Sequence, residues 1–166
     1  MQEDGCTWEA IQYLDELKIP NPGLDYHIKY NTFGRPEALC YILPEMRQDL
    51  LCFGDLLFLD SQKRQYNSMN WPYIGPCVKD QDMKVRVVTE SICVEESTRM
   101  YAWVLEMMHS MEPWFSLKNI CLVFGDKGIT QSLLESIGVE HTCLLRGDYH
   151  HLINEVFPEQ FGIHKF

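Results

Sequence analysis

Two short apolar runs in this chain each end on an aspartate: Asp55-Leu-Leu-Phe-Leu-Asp60 and Ile120-Cys-Leu-Val-Phe-Gly-Asp126. Apolar runs of this length predict strands buried on both faces. An ionisable side chain at the end of such a strand is costly unless it meets water, a partner or a metal ion. Taken singly, each aspartate is accounted for by a turn or a helix cap. Taken as a pair separated by further strands and a helix, they fit a mixed sheet that sets the two strand ends side by side. Two facing ionised carboxylates repel, and a divalent cation between them removes that repulsion. Metal-dependent cutting of phosphodiesters needs such an arrangement.

Length and composition narrow the setting. A chain of 166 residues, 46% of them hydrophobic, can bury one sizeable core and is expected to form one compact unit. No apolar stretch approaches the roughly 20 residues that cross a bilayer. The start, Met-Gln-Glu-Asp-Gly-Cys, lacks the basic-then-apolar pattern of a secretory signal. Cysteines at 6, 40, 52, 77, 93, 121 and 143 form no Cys-x-x-Cys pair and sit mostly in apolar runs. Reduced thiols in an intracellular protein are the expectation. The formal charge of −10 weighs against a free-standing nucleic-acid binder, because phosphate neutralisation supplies most of such affinity. Alone, this chain is expected to hold DNA weakly.

Periodicity outlines the elements. A helix is predicted over 7–18 with Thr7 as N-cap, then a hairpin of strands 26–30 and 38–42 around Asn31-Thr-Phe-Gly34. A short helix over 44–51 begins at Pro44. Strands are predicted over 56–59, 72–78 and 85–94, followed by a helix over 97–111. In that helix Met100, Trp103, Val104, Met107, Met108 and Met111 recur at steps of three and four, a core-packing stripe that Pro113 ends. A strand over 120–124, a helix over 130–137 closed by Gly138, a strand over 141–145 and a helix over 148–156 complete the order. Three consecutive strands suit an antiparallel meander, and the later strand–helix units suit parallel additions to the same sheet.

Phe53-Gly-Asp-Leu-Leu-Phe-Leu-Asp60, with Tyr66-Asn67 and Pro72 after it, resembles the opening of the catalytic domain of Mutator-like element transposases. Glu96-Ser-Thr-Arg-Met-Tyr-Ala-Trp103 is similar to that family's pattern at its first core helix, and Val123-Phe-Gly-Asp-Lys-Gly128 to its second aspartate segment. The resemblance spans roughly residues 25–162. It implies an α/β, RNase H-like mixed sheet flanked by helices, preceded by a lead-in over 1–54, with the catalytic core over 55–166. It also implies a DDE-type site, in which Asp60 and Asp126 are the first and second acids holding Mg²⁺ or Mn²⁺. Glu96 is a possible helper, near where other RNase H-like enzymes place an extra metal-binding glutamate. DNA as partner through a longer protein, nuclear residence and possible oligomerisation follow from the same likeness.

Departures from the family pattern leave alternatives open. The family's third acid lies beyond an insertion, and the expectation is that it falls after Phe166. Glu155 and Glu159 offer a shorter spacing, similar to that in retroviral integrases. The family's Cys-x-x-His signature is not met, since Arg146 stands three positions after Cys143. A zinc site from His141, Cys143, His150 and His151 competes with plain surface histidines. Glu95 and Glu96 also suit a helix N-terminus. Asp55 is expected in solvent and Asp80 and Asp82 in a turn. Lys127 is read as balancing Asp126, and Gly128 as permitting a tight turn. Trp8, Trp71 and Trp114 are expected to pack. A domesticated or degenerate copy, serving protein interaction without chemistry, is the second functional expectation.

Overall fold

The computed structural model describes residues 3–62, 67, 69–125, 129–139 and 143–146. Helix α1, Glu3–Lys18, begins earlier than the periodicity indicates, so Thr7 lies inside it instead of capping it. Strands β1, Asp25–Tyr30, and β2, Pro36–Ile42, form the expected antiparallel hairpin, with Ile28 opposite Leu39. Asn31 builds its turn: the side-chain oxygen accepts from the Phe33 and Arg35 N–H groups, and Gly34 takes φ 73°. Leu14 of α1 packs with Leu24 and Leu39 over one face of this hairpin, and Ala10, Leu17, Tyr26 and Ile28 surround them.

Helix α2, Pro44–Phe53, carries proline in its first turn and buries Met46 and Leu50. Its Arg47 straps three segments together. The guanidinium donates to the carbonyls of Gly23 and Met111 and pairs with the Glu112 carboxylate at 3.3 Å.

The next six strands are β3 (Leu56–Leu59), β4 (Ser61–Gln62), β5 (Tyr73–Ile74), β6 (Cys77–Lys79), β7 (Val85–Val87) and β8 (Glu90–Cys93). Two long strands were expected over 72–78 and 85–94, and each is interrupted, at Gly75-Pro76 and at Val88-Thr89. Pro76 has no N–H to give a ladder. Gly75 lies under the Tyr73 ring, where an added Cβ would come within 2.6 Å of it. The breaks line up with a third at Asp60, because Ser61 pairs with Ile74 and Ile74 with Ser91. A crease therefore crosses three neighbouring strands.

Helix α3 (Thr98–Met111), a 3₁₀ turn (Leu117–Asn119), strand β9 (Leu122–Gly125), helix α4 (Gln131–Ser136) and strand β10 (Cys143–Arg146) follow. Two five-stranded sheets result among the described residues. One, ordered β1-β2-β8-β5-β4, is antiparallel throughout. The other, ordered β10-β9-β3-β6-β7, is mixed: β6 and β7 are antiparallel additions on one side of β3, while β9 and β10 are parallel additions on the other. The chain is thus a mixed α/β fold, and three antiparallel strands with parallel additions are present in the second sheet. The single sheet expected is divided, because β4, β5 and β8 join the lead-in hairpin in a sheet of their own.

The core is one cluster built around α3, with residues from both sheets. Met100, Tyr101, Trp103, Val104, Leu105, Met108 and Met111 are buried, with Met107 packed at the margin, so the methionine stripe is core. Leu57, Leu59, Val123, Leu133 and Leu134 belong to the same cluster. Gly138 closes α4 at φ 88° as expected. Among the described residues no helix is long and apolar enough to cross a membrane.

Candidate metal centre

Strands β3 and β9 run parallel in register, Leu56 to Leu59 against Leu122 to Gly125. Burial on both faces was expected of them, and the structure corrects this. Leu57, Leu59 and Val123 are fully buried on one face, whereas Leu56, Phe58, Leu122 and Phe124 are half-buried on the other. On that second face Phe58 stacks on Phe124, ring centroids 5.0 Å apart and planes within 6°. Lys79 of β6 holds its ammonium 5.7 Å from the centre of the Phe58 ring.

Asp60 follows Leu59 directly, at the crease between β3 and β4, and is exposed. It has company there. Cys77 pairs with Phe58, and its thiol is pushed up to about 11, by burial first and then by the charges of Asp60 and Glu90. Glu90 opens β8 and accepts a 2.6 Å hydrogen bond from the Tyr41 hydroxyl. Burial, then that bond, raises the Tyr41 phenol well above its ordinary value; Tyr73 is raised by burial and by Glu90. The crease thus gathers Asp60, Glu90, Cys77, Tyr73 and Tyr41.

Sequence reasoning missed Glu90 and Lys79. The only available signal for Glu90 was its carboxylate at the head of the alternating segment Glu90-Ser-Ile-Cys93. Lys79 reads from sequence as the start of a polar turn.

Glu96 lies beyond the end of β8, exposed, and its carboxylate accepts from the buried Tyr101 hydroxyl at 3.2 Å. Its neighbour Glu95 accepts from Ser97 Oγ and pairs with Arg99, which also holds Glu37 at 3.0 Å. Both glutamates are therefore engaged at the N-terminal end of α3. In the ladder the position level with Ser61 is Ser91, and Glu96 comes only after the rest of β8 and the following bend.

Asp55 is exposed as expected. Asp80 forms the turn, accepting from the Asp82 and Lys84 N–H groups and from Arg86 at 2.9 Å. The backbone donor of Lys84 leads the groups that hold its carboxyl below the usual range. Trp8 and Trp114 were expected to pack; they are 68% and 87% exposed instead. The Trp71 backbone is clamped by the Asn67 side chain through two hydrogen bonds.

Asp126, Lys127, Gly128, His141, His150, His151, Glu155 and Glu159 lie outside the described residues, and of Cys143 only the strand is described. Among the described residues no three His, Cys, Asp or Glu side chains could hold a metal ion together. No protein-family model, curated protein or solved structure matches this chain.

Proposed function

We propose that the chain is the core of an RNase H-like, DDE-type nuclease of the Mutator-like transposase kind, with Asp60 and Asp126 as its metal-holding carboxylates. The observation that carries this reading is the parallel, in-register ending of β3 and β9 at Leu59 and Gly125. Asp60 and Asp126 are the next residues along, and consecutive Cα atoms are about 3.8 Å apart. Phe58 and Phe124, the last half-buried residues of the two strands, stack on one another, so the strand ends that lead to the two aspartates lie side by side. The strand order adds support, since an RNase H-like sheet has three antiparallel strands and parallel additions beside the first.

Carboxylate oxygens are the hard donors Mg²⁺ and Mn²⁺ take, so the pair suits such an ion chemically. When bound, two such ions activate an attacking water or 3′-hydroxyl and stabilise the leaving oxygen of an in-line displacement. The chain's own part is to end two parallel, in-register strands immediately before the aspartates, with Asp60 exposed to solvent. Lys79, on the Phe58 face, brings a positive charge toward an incoming phosphate.

The second reading, a non-catalytic interaction module, is favoured by the net charge of −10. Calorimetric titration with Mn²⁺ separates the two. The nuclease reading expects saturable binding by the wild type and by Asp55→Asn, and its loss in both Asp60→Asn and Asp126→Asn. A wild type that takes up no Mn²⁺, with end-labelled DNA left intact in its presence, decides for the module.

A further inference from the structure

We propose that two copies of this chain pair through the outer edge of β1, joining their antiparallel sheets into one, a contact independent of any metal chemistry. Strand β1 is the terminal strand of its sheet and, among the described residues, has a strand neighbour only at β2. The Tyr26 N–H donates to Asp25 Oδ1 at 3.0 Å, away from the β2 ladder. In an antiparallel pair successive residues alternate between facing the neighbour and facing away. Tyr26 and Ile28 therefore present their backbone groups outward, while Asp25, His27 and Lys29 turn theirs to β2.

A two-fold contact has to match this strand to itself, running antiparallel. Bonds between outward groups pair Tyr26 with Ile28 of the second copy, and Ile28 with Tyr26. The symmetry axis then passes through His27, and Asp25 falls opposite Lys29 of the second copy, twice over. Opposite charges directly across an antiparallel pair stabilise it, as do aromatic and β-branched pairs. Shifting the axis to Ile28 places Lys29 against His27 and Asp25 against Asn31, which removes the charge match. The register centred on His27 is therefore selected by the sequence of the strand itself.

Within one copy both charges have weaker partners that the contact would exchange, and pairing would also take the Tyr26 N–H from Asp25 Oδ1. Asp25 reaches Lys18 and Arg47 only at 3.9 Å each, and Lys29 rests over the Trp103 ring at 5.7 Å. The competing account is that these charges protect the edge against pairing, a frequent use of lysine on outer strands.

Sedimentation of the full chain over a wide concentration range tests the contact. The wild type is expected to show a reversible monomer–dimer equilibrium, and Lys29→Glu to weaken it on the order of tenfold by turning both attractions into repulsions. His27→Cys supplies a second readout that leaves both charges intact. The self-pair belongs to the closer type, with Cα atoms about 4.5 Å apart, within reach of a disulfide. Mild oxidation should then link two chains through position 27, identified by peptide mass, where the wild type gives no such link. A wild type that stays monomeric at every concentration overturns the proposal. So does a dimer that Lys29→Glu leaves unchanged and that does not link through position 27.

Discussion

Helices α3 and α1 differ in how much dry surface holds them. Helix α3 buries seven of its 14 residues, and its core cluster reaches Leu57, Val123 and Leu134 in other elements. Among its described side chains, helix α1 buries Leu14, in a satellite cluster with Leu24 and Leu39. Stability in such a molecule is uneven, because the free energy of local opening follows the apolar contacts that must be broken. The candidate metal-holding strands share the α3 core cluster. Strand β1, the proposed pairing edge, packs Tyr26 and Ile28 against the α1 cluster and reaches α3 through Lys29 over Trp103.

The largest effect should come from truncating the α3 core. Leu105→Ala is expected to cost about 3–5 kcal/mol and to lower the urea midpoint of the whole chain. Leu14→Ala should cost nearer the low end, about 2–3 kcal/mol, and speed amide exchange in α1 ahead of the sheets. Equal losses from the two, with α1 exchanging in step with α3, would erase the distinction drawn between these helices.

Arg47 connects the two regions, so its removal sharpens the contrast. Glu112 is 5% exposed, and Arg47→Ala leaves its carboxylate buried without that partner, at a cost of about 3 kcal/mol. The double variant Arg47→Ala, Glu112→Gln should recover part of the loss. Full additivity in a denaturant-monitored cycle would mean that the strap is decorative.

The smallest predicted effect is alkaline. Burial raises the thiol of Cys93 to about 12 and that of Cys77 to about 11, and it also raises Cys40. A folded value above the unfolded one makes the native state hold its proton longer. Stability from these groups is therefore complete below the ordinary thiol range, near 9, and falls as pH climbs toward the folded values. The urea midpoint should decline from neutral pH into that window, less so in Cys93→Ala. A midpoint that is level or rising there would contradict the burial of these thiols.

Much of this fold was legible because local chemistry and global packing agree. Asn31 and Gly34 mark the hairpin turn, the stripe from Met100 to Met111 marks the core helix, and the apolar runs mark β3 and β9. The crease was not legible. Val85 to Val94 is apolar and β-branched enough to read as one strand, and nothing local signals the break at Val88-Thr89. Pro76 did carry a signal, weaker than the alternation on either side of it. At the candidate site the run ending at Asp60 named the position. The neighbours Glu90 and Lys79 depend on strand register, which a single sequence does not encode at short range.

Strand β2 lies against β8, with Ala38 opposite Cys93 and Cys40 opposite Ser91. Anyone shortening the gene to begin at residue 55 would strip that cover from β8 and lay bare a row of unsatisfied peptide groups beside the buried thiol of Cys93. Such a product should clump in the expression host instead of yielding a smaller, better-behaved piece.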